Sequence, residues 1–333
     1  MEFIGVKGTA VYQPAEMVKT DYLLKTEQIS KKTFNKIGVS SVRVANHSES
    51  PTDLAIKAAK SLINESTVSL DQINIVIYVG ATPPDYLIWS PSAKVCYELG
   101  LKKAIGFEVM LGCGGVPMSL KIAKDLLLNT KDWKHALIVS GENWEPYTTN
   151  RTAAGLIFGD TGAAILLEKG TNVKNKLGEF AGVTDGRFYD FAFLSSGTKF
   201  ADMERQKQTA IRENEYSFFN TDSANLLREN NIKNYLYITN ELLEKSKLSL
   251  SDISYLLLPS GRKDLMEKLI DVLEFDRSRT NFPFLESQGD LGAPGFICDL
   301  NNLFNIYQPR RGEKILTLSA GVGISWLGSI LEV

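Results

Sequence analysis

Cys113 sits in Glu108-Val-Met-Leu-Gly-Cys-Gly-Gly-Val-Pro-Met118, where an apolar strand-like run gives way through glycines to an amphipathic helical pattern. A cysteine at such a junction has its sulfur aimed by a tight turn and stands at a helix N-terminus, whose dipole favours thiolate over thiol. The expected chemistry is nucleophilic. Burial as an inert thiol is the common fate of cysteine, but glycines on both sides favour the nucleophile. Asp290, in Gly289-Asp-Leu-Gly-Ala-Pro-Gly295, is a candidate general base for an incoming hydroxyl or amine, or else a cap for a helix over 294–303. Glu142, in Ser-Gly-Glu-Asn-Trp144, stands just past a strand end, where sites form in α/β sheets. It either lines a pocket or is buried with Trp144. The two histidines have no catalytic setting: His47 reads as an exposed loop residue and His135 as structural. Cys96 and Cys298 read as core residues.

Around these residues strand-like and helix-like segments alternate, the pattern of an α/β protein with buried sheets. Apolar runs at 73–80, 136–141 and 256–258 read as strands; 92–99, 118–128 and 265–273 carry apolar residues at helical spacing. Two segments have echoes. Ser69-Leu-Asp-Gln-Ile-Asn-Ile-Val-Ile-Tyr-Val-Gly80 resembles 249–260, each following an amphipathic helix, at 54–62 and 238–248. The glycine-rich turn and apolar strand at 156–168 is echoed at 317–331. Two echoes in one order indicate duplication, with halves at 1–170 and 171–333 and a boundary near 170–176. The polar stretch 200–230 is the least regular and reads as a cap over a binding site.

Composition narrows the class. The chain has 333 residues, 44% hydrophobic and 23% charged, with a formal net charge of −2 and no basic block. Nucleic acid and anionic membrane are therefore not expected as partners. No apolar run approaches the roughly 20 residues that span a bilayer. The opening residues read as a short strand and not as a signal or transit peptide. Three cysteines without CxxC spacing argue against a disulfide framework and a zinc site. A cytoplasmic protein with reduced thiols and no metal is expected.

With these motifs in hand, the chain resembles the thiolase-fold family of ketoacyl-ACP synthase III enzymes over essentially its whole length. Glu108-Val-Met-Leu-Gly-Cys113-Gly-Gly is similar to the family's nucleophile segment, and Phe158-Gly-Asp-Thr-Gly-Ala-Ala-Ile-Leu166 to its FGDGAGA-type turn. Gly321-Val-Gly-Ile-Ser-Trp326 is similar to its C-terminal glycine motif, and Pro91-Ser-Ala to the segment before the helix ending in Leu-Gly. The resemblance implies an α/β thiolase fold, a five-layered αβαβα architecture, a homodimer or heterodimer, and an acyl-thioester loaded onto Cys113. It also implies an oxyanion hole from the Cys113 N–H and a second N–H in the Gly321–Gly323 turn. The aromatic stretch with Trp89 is implied to reach the dimer interface and the floor of the acyl pocket.

The departures are as informative. Condensing members use Cys, His and Asn, the last two polarising the malonyl thioester carbonyl. Here the histidine slot holds Leu258, Pro259 or Ser260, and Asp290 stands in the asparagine slot. A carboxylate there repels the malonyl carboxylate and the developing enolate, and donates no hydrogen bond unless protonated. The run Gly289-Asp-Leu-Gly-Ala is also similar to the GHxGAxD-type run of the acyltransferase branch, with Asp290 in its histidine position and Gly295 in its aspartate position. Ser260 is either a partner for a carbonyl or a phosphopantetheine arm, or a turn residue after Pro259. The Trp–Arg pair that holds coenzyme A in some members is missing from Lys32-Thr-Phe-Asn-Lys-Ile-Gly38. No resident cofactor is expected; the acyl donor is a carrier protein's phosphopantetheine, favoured over coenzyme A.

The sequence thus favours an acyltransferase of secondary metabolism, passing an acyl group from Cys113 to an amine, a hydroxyl or a preactivated carbon, with Asp290 assisting. The alternative is a catalytically reduced subunit paired with a paralogous condensing synthase.

Overall fold

The computed structural model describes residues 1–26, 29–86, 88–153, 155–193, 217–218 and 221–333. The first half contains strand β1 (Phe3–Tyr12), helix α1 (Pro51–Glu65), β2 (Ile73–Val79), α2 (Pro91–Leu99) and β3 (Ile105–Val109). It continues with α3 (Gly115–Asn129), β4 (His135–Glu142) and β5 (Thr161–Gly170). The second half contains β6 (Lys176–Thr184), α4 (Thr221–Ser246), β7 (Tyr255–Leu257), α5 (Lys263–Val272), α6 (Gly295–Asn302), β8 (Lys314–Gly321) and β9 (Ser325–Glu332).

Both halves use one strand arrangement. In the first the order is β3-β2-β4-β5-β1, in the second β7-β8-β9-β6, and the pair Gly5↔Lys176 joins β1 to β6. β2 runs parallel to β4, which is antiparallel to β5, itself antiparallel to β1. Likewise β7 is parallel to β8, β8 antiparallel to β9, and β9 antiparallel to β6.

Strand alternation sorts the side chains into layers. Along β2, Ile75, Ile77 and Val79 face a central core shared with Val116 and Leu120 of α3, Ile297 and Leu300 of α6, and Ile315 of β8. Val76 and Tyr78 of the same strand face outward, onto Ala55, Ala58, Ala59 and Leu62 of α1. A third core packs Tyr235, Ile238 and Leu242 of α4 and Met266 and Leu269 of α5 against the outer face of the second half-sheet. Helices α3 and α6 are thus sandwiched between two half-sheets with helices outside each, the five-layered αβαβα thiolase fold. Burying each such aliphatic side chain stabilises the fold by roughly 1.5–3 kcal/mol.

Local signals explain the main helix boundaries. α1 starts at a capping box, in which Ser50 Oγ accepts the Asp53 N–H and Asp53 accepts the Ser50 N–H, both at 3.2 Å. α2 likewise starts from Ser90 with Pro91 in its first turn and ends at Gly100. Two expectations change. Residues 221–230 are regular, being the first turns of the 26-residue α4, because Leu226 and Leu227 extend its apolar stripe onto the third core; the rest of the expected cap, apart from 217–218, lies outside the described residues. The 317–331 echo is not a turn followed by a strand: Thr317–Gly321 is itself the end of β8, paired with β9 in a hairpin. Among the described residues, no helix is long and apolar enough to cross a membrane.

Candidate active site

The nucleophile turn is held by both halves. After the edge strand β3 the chain makes a single 3-10 turn, Gly112–Gly114, and enters α3. Gly112 has φ +54°, and a Cβ there would stand 3.1 Å from the backbone N of Val322. From the other side, a Cβ on Gly321 would stand 2.1 Å from the Leu111 carbonyl oxygen, so the end of β8 touches the turn backbone to backbone. Ser319 Oγ donates to the Cys113 carbonyl at 3.0 Å. The C-terminal glycine motif is therefore the clamp that fixes the cysteine.

Cys113 opens onto a cavity of about 210 Å³ that also exposes Ser260, Arg262, Asp290 and Asp299 on mostly apolar walls. The thiolate expectation is corrected here. Protein packed around the sulfur, then the carboxylates of Asp290 and Glu142, push the Cys113 thiol well above its usual range. A helix terminus carries only about half an elementary charge, and desolvation together with two nearby acids outweighs it. The resting group is a thiol and needs a base.

Asp290 is 8% exposed, and Oδ1 accepts the Gly292 N–H at 2.8 Å. Its backbone is tied to the Phe158-Gly-Asp turn: Asp290 N–H donates to the Ile157 carbonyl at 2.8 Å and its carbonyl accepts from Gly159 at 3.0 Å. It does not cap the next helix, which starts after Pro294 without a side-chain cap. Burial pushes its carboxyl up to about 6.

Ser260 is more than a turn residue. Its hydroxyl donates to Asp299 Oδ2 at 2.7 Å, and the Asn281 amide donates to the same oxygen at 2.7 Å. Asn281 is fixed in turn by the Leu258 N–H at 2.8 Å and the Leu258 carbonyl at 2.9 Å. Burial pushes Asp299 up to about 7. Sequence reasoning missed Asp299 and Asn281. The signal for Asp299 was a carboxylate inside the apolar run Gly295-Phe-Ile-Cys-Asp-Leu300, one turn beyond Gly295 and on its face.

The other expected residues are partly dispersed. Glu142 is fully buried and neither lines the cavity nor lies at the surface. It accepts from Ala81 N–H at 2.5 Å and Thr82 N–H at 3.1 Å, fixing the turn that contributes Ala81 to the cavity wall; burial pushes it up to about 8. Trp89 is not in the Cys113 cavity. It lies in an adjoining surface groove with Met110 and Val322, its ring edge-on to Tyr86 at 5.4 Å. Gly321 lines the cavity; Gly323, with φ +104°, faces open space beside it. His47 is exposed beside Glu145, and His135 opens β4 with its Nδ1 at 3.3 Å from the Gln72 carbonyl; neither lines the cavity. Cys298 is buried as expected, whereas Cys96 keeps partial exposure on α2. Among the described residues no group of three or more His, Cys, Asp and Glu is arranged to hold a metal.

In sequence and in fold the chain is similar to known proteins. Residues 107–186 match the family model for 3-oxoacyl-[acyl-carrier-protein] synthase III, and residues 243–333 match its C-terminal model. The β-ketoacyl-[acyl-carrier-protein] synthase III of Rickettsia prowazekii is 22% identical over 327 residues, covering 98% of each chain. Among solved structures, the acyltransferase ChlB3 superposes with a TM-score of 0.83 at 19% identity, covering 99% of this chain and 98% of that one. The priming β-ketosynthase of the R1128 polyketide pathway superposes at 0.85, with 19% identity and coverage of 99% and 96%.

Proposed function

The chain belongs to the 3-oxoacyl-[acyl-carrier-protein] synthase III family, whose enzymes transfer or condense acyl groups, and on that premise we propose that it is an acyltransferase of secondary metabolism. Cys113 takes the acyl group from a carrier-protein thioester and yields it to a nucleophilic acceptor, without malonyl decarboxylation. The observation that carries this reading is Asp290: a buried carboxylate whose charge reaches the cysteine, with no cation coupled to it among the described residues.

In the loading half-reaction Asp290 takes the Cys113 proton as sulfur attacks the thioester carbonyl. The developing oxyanion is received by the Cys113 N–H and an N–H of the 321–323 turn. The incoming thiol leaves with the proton from Asp290. The same carboxylate opposes the enolate that decarboxylation would leave, because like charges in a low-dielectric cavity repel strongly. The protein needs no resident cofactor; phosphopantetheine of a carrier protein, or coenzyme A, brings the acyl group. Its working parts are two thiolase-like halves, 1–170 with the nucleophile and 171–333 with the carboxylates. Three unpaired cysteines suit a reducing cytoplasm.

A pairing of two chains is favoured by the edge of the sheet. β3 is unpaired on one side, Ile105 on it is 54% exposed, and Tyr86, Ile88 and Met110 are exposed nearby. The partner is a second copy or a paralogous synthase, and in the second case this chain is the reduced subunit.

Intact-mass measurement after incubation with acyl carrier protein tests the main reading. The wild type gains one acyl group and Cys113→Ala gains none, a loss of more than about a thousandfold in loading rate. An unlabelled wild type, or release of carbon dioxide from malonyl carrier protein at a rate set by Cys113, overturns it.

A further inference from the structure

The acceptor side of the cavity has a built-in preference. Asp290 and Asp299 are each more than nine-tenths buried, yet Asp290 Oδ2 and Asp299 Oδ1 accept no hydrogen bond from any described residue. Both side chains line the cavity with Cys113. Among the described lining residues the one cation is Arg262, and it is already held by Asp264 through two contacts of 2.9 and 2.6 Å. Among the described residues the cavity therefore presents two carboxylates, the hydroxyls of Ser260, Ser319 and Tyr235 and largely apolar walls, with no cation that lacks an acid partner. Burying a charge without a partner is costly, so a cation entering here is stabilised and an anion is rejected.

Resting on the acyltransferase reading, we infer that the acceptor is a primary amine, bound as its ammonium ion against the Ser260–Asp299 pair, and that Asp299 takes its proton. The division of labour follows from position. Of the two cavity acids, Asp290 is the one whose charge reaches the Cys113 sulfur, so it serves loading; among the described residues Asp299 is coupled to Ser260 and Asn281 instead, so it serves the acceptor. The ammonium gives one proton to Asp299, directly or across Ser260 Oγ. The nitrogen lone pair forms the C–N bond to the acyl carbonyl carbon and the C–S bond breaks. The second nitrogen proton moves to Cys113 Sγ, which ends as the thiol it began as, and the proton on Asp299 returns to solvent. Burial supports the assignment, since a carboxyl pushed up to about 7 is a competent base near neutral pH. Asn281 donates to the same Asp299 oxygen as Ser260 and positions it.

The test uses hexylammonium and 1-hexanol as probes in two measurements on the full chain. Calorimetry reads binding to the unacylated protein: hexylammonium binds at least about tenfold more tightly than hexanol, and Asp299→Asn removes that margin. Single-turnover mass spectrometry reads discharge of acyl-Cys113. The folded protein accelerates the amine over the same amine acting on unfolded acyl-enzyme, and Asp299→Asn, compared at equal extents of acylation, loses about a hundredfold of that acceleration. Equal binding of the two probes, or amine discharge unchanged in Asp299→Asn, overturns the inference. Failure of Cys113 to load, with ammonium binding still dependent on Asp299, overturns the acyltransferase reading and leaves the amine site standing.

Discussion

Two buried acidic regions of this molecule invite comparison. Asp160, in the Phe158-Gly-Asp turn, is fully buried and fully matched: Oδ1 accepts Arg151 Nη1 at 2.6 Å and the Trp144 N–H at 2.8 Å, and Oδ2 accepts the Ala45 N–H at 2.8 Å. Asp290 and Asp299, in the cavity wall, are almost as buried, but among the described residues they have no cation, and each keeps one oxygen without a protein donor. A carboxylate matched at both oxygens is part of the frame. A carboxylate left half-matched next to a cavity costs stability, and what it offers instead is chemistry.

The comparison can be broken most sharply at Arg151. Arg151→Ala strands the Asp160 charge and is expected to lower unfolding free energy by about 3–5 kcal/mol in denaturant titration. A change smaller than about 1 kcal/mol would mean that Asp160 is not part of the frame. The opposite pattern is expected in the cavity wall. Asp290→Asn should slow acyl loading of Cys113 by about a hundredfold, with a thermal midpoint equal to or above that of the wild type.

The pH dependence separates the same two groups. Burial raises the folded-state carboxyls of Asp290 to about 6 and Asp299 to about 7, whereas the unfolded groups titrate near the ordinary aspartate value. Each therefore favours folding while protonated, and that contribution is lost as pH rises from about 4 through 6 and 7. Stability should decline between pH 5 and 8 by on the order of 4 kcal/mol, and the double variant Asp290→Asn, Asp299→Asn should flatten the decline. An unaltered slope in that variant would assign the titration to other acids, Glu142 first. The smallest expected effect is that of Ser260→Ala, which removes one hydrogen bond to Asp299 and should cost about 1 kcal/mol of stability. Restoration by Thr, read by the same titration, would sharpen the assignment to the hydroxyl.

Much of the fold was readable because its signals are local. The apolar runs at 73–80 and 136–141 and the glycines at 321 and 323 each carry their meaning within a few residues. Cys113 was legible for the same reason. Its protonation state was not, because that depends on Asp290 and Glu142, which approach from remote parts of the chain. Asp299 was hidden by an apolar helix in which a single acid looks like an exposed residue. Asn281 was hidden by distance, reaching Leu258 over 23 positions. Trp89 was read as lining the acyl pocket, yet in the single chain it stands in the neighbouring groove, because Ala81 and Val322 form the wall between the two.

The strand pairing also sets a timetable for synthesis. β1 is made first but its partner β5 lies far downstream, with Phe3 facing Gly170 and Tyr12 facing Gly162. At about 5–20 residues per second, the first ten-residue strand waits on the order of ten to thirty seconds before its partner is made. Through that interval Ile4, Val6 and Ala10, all destined for the interior, have no place to go. β1 is thus made early in its half and is among the last of that half to find its seat, and the interval in which the nascent chain is most open to wrong partners is written into the order of its strands.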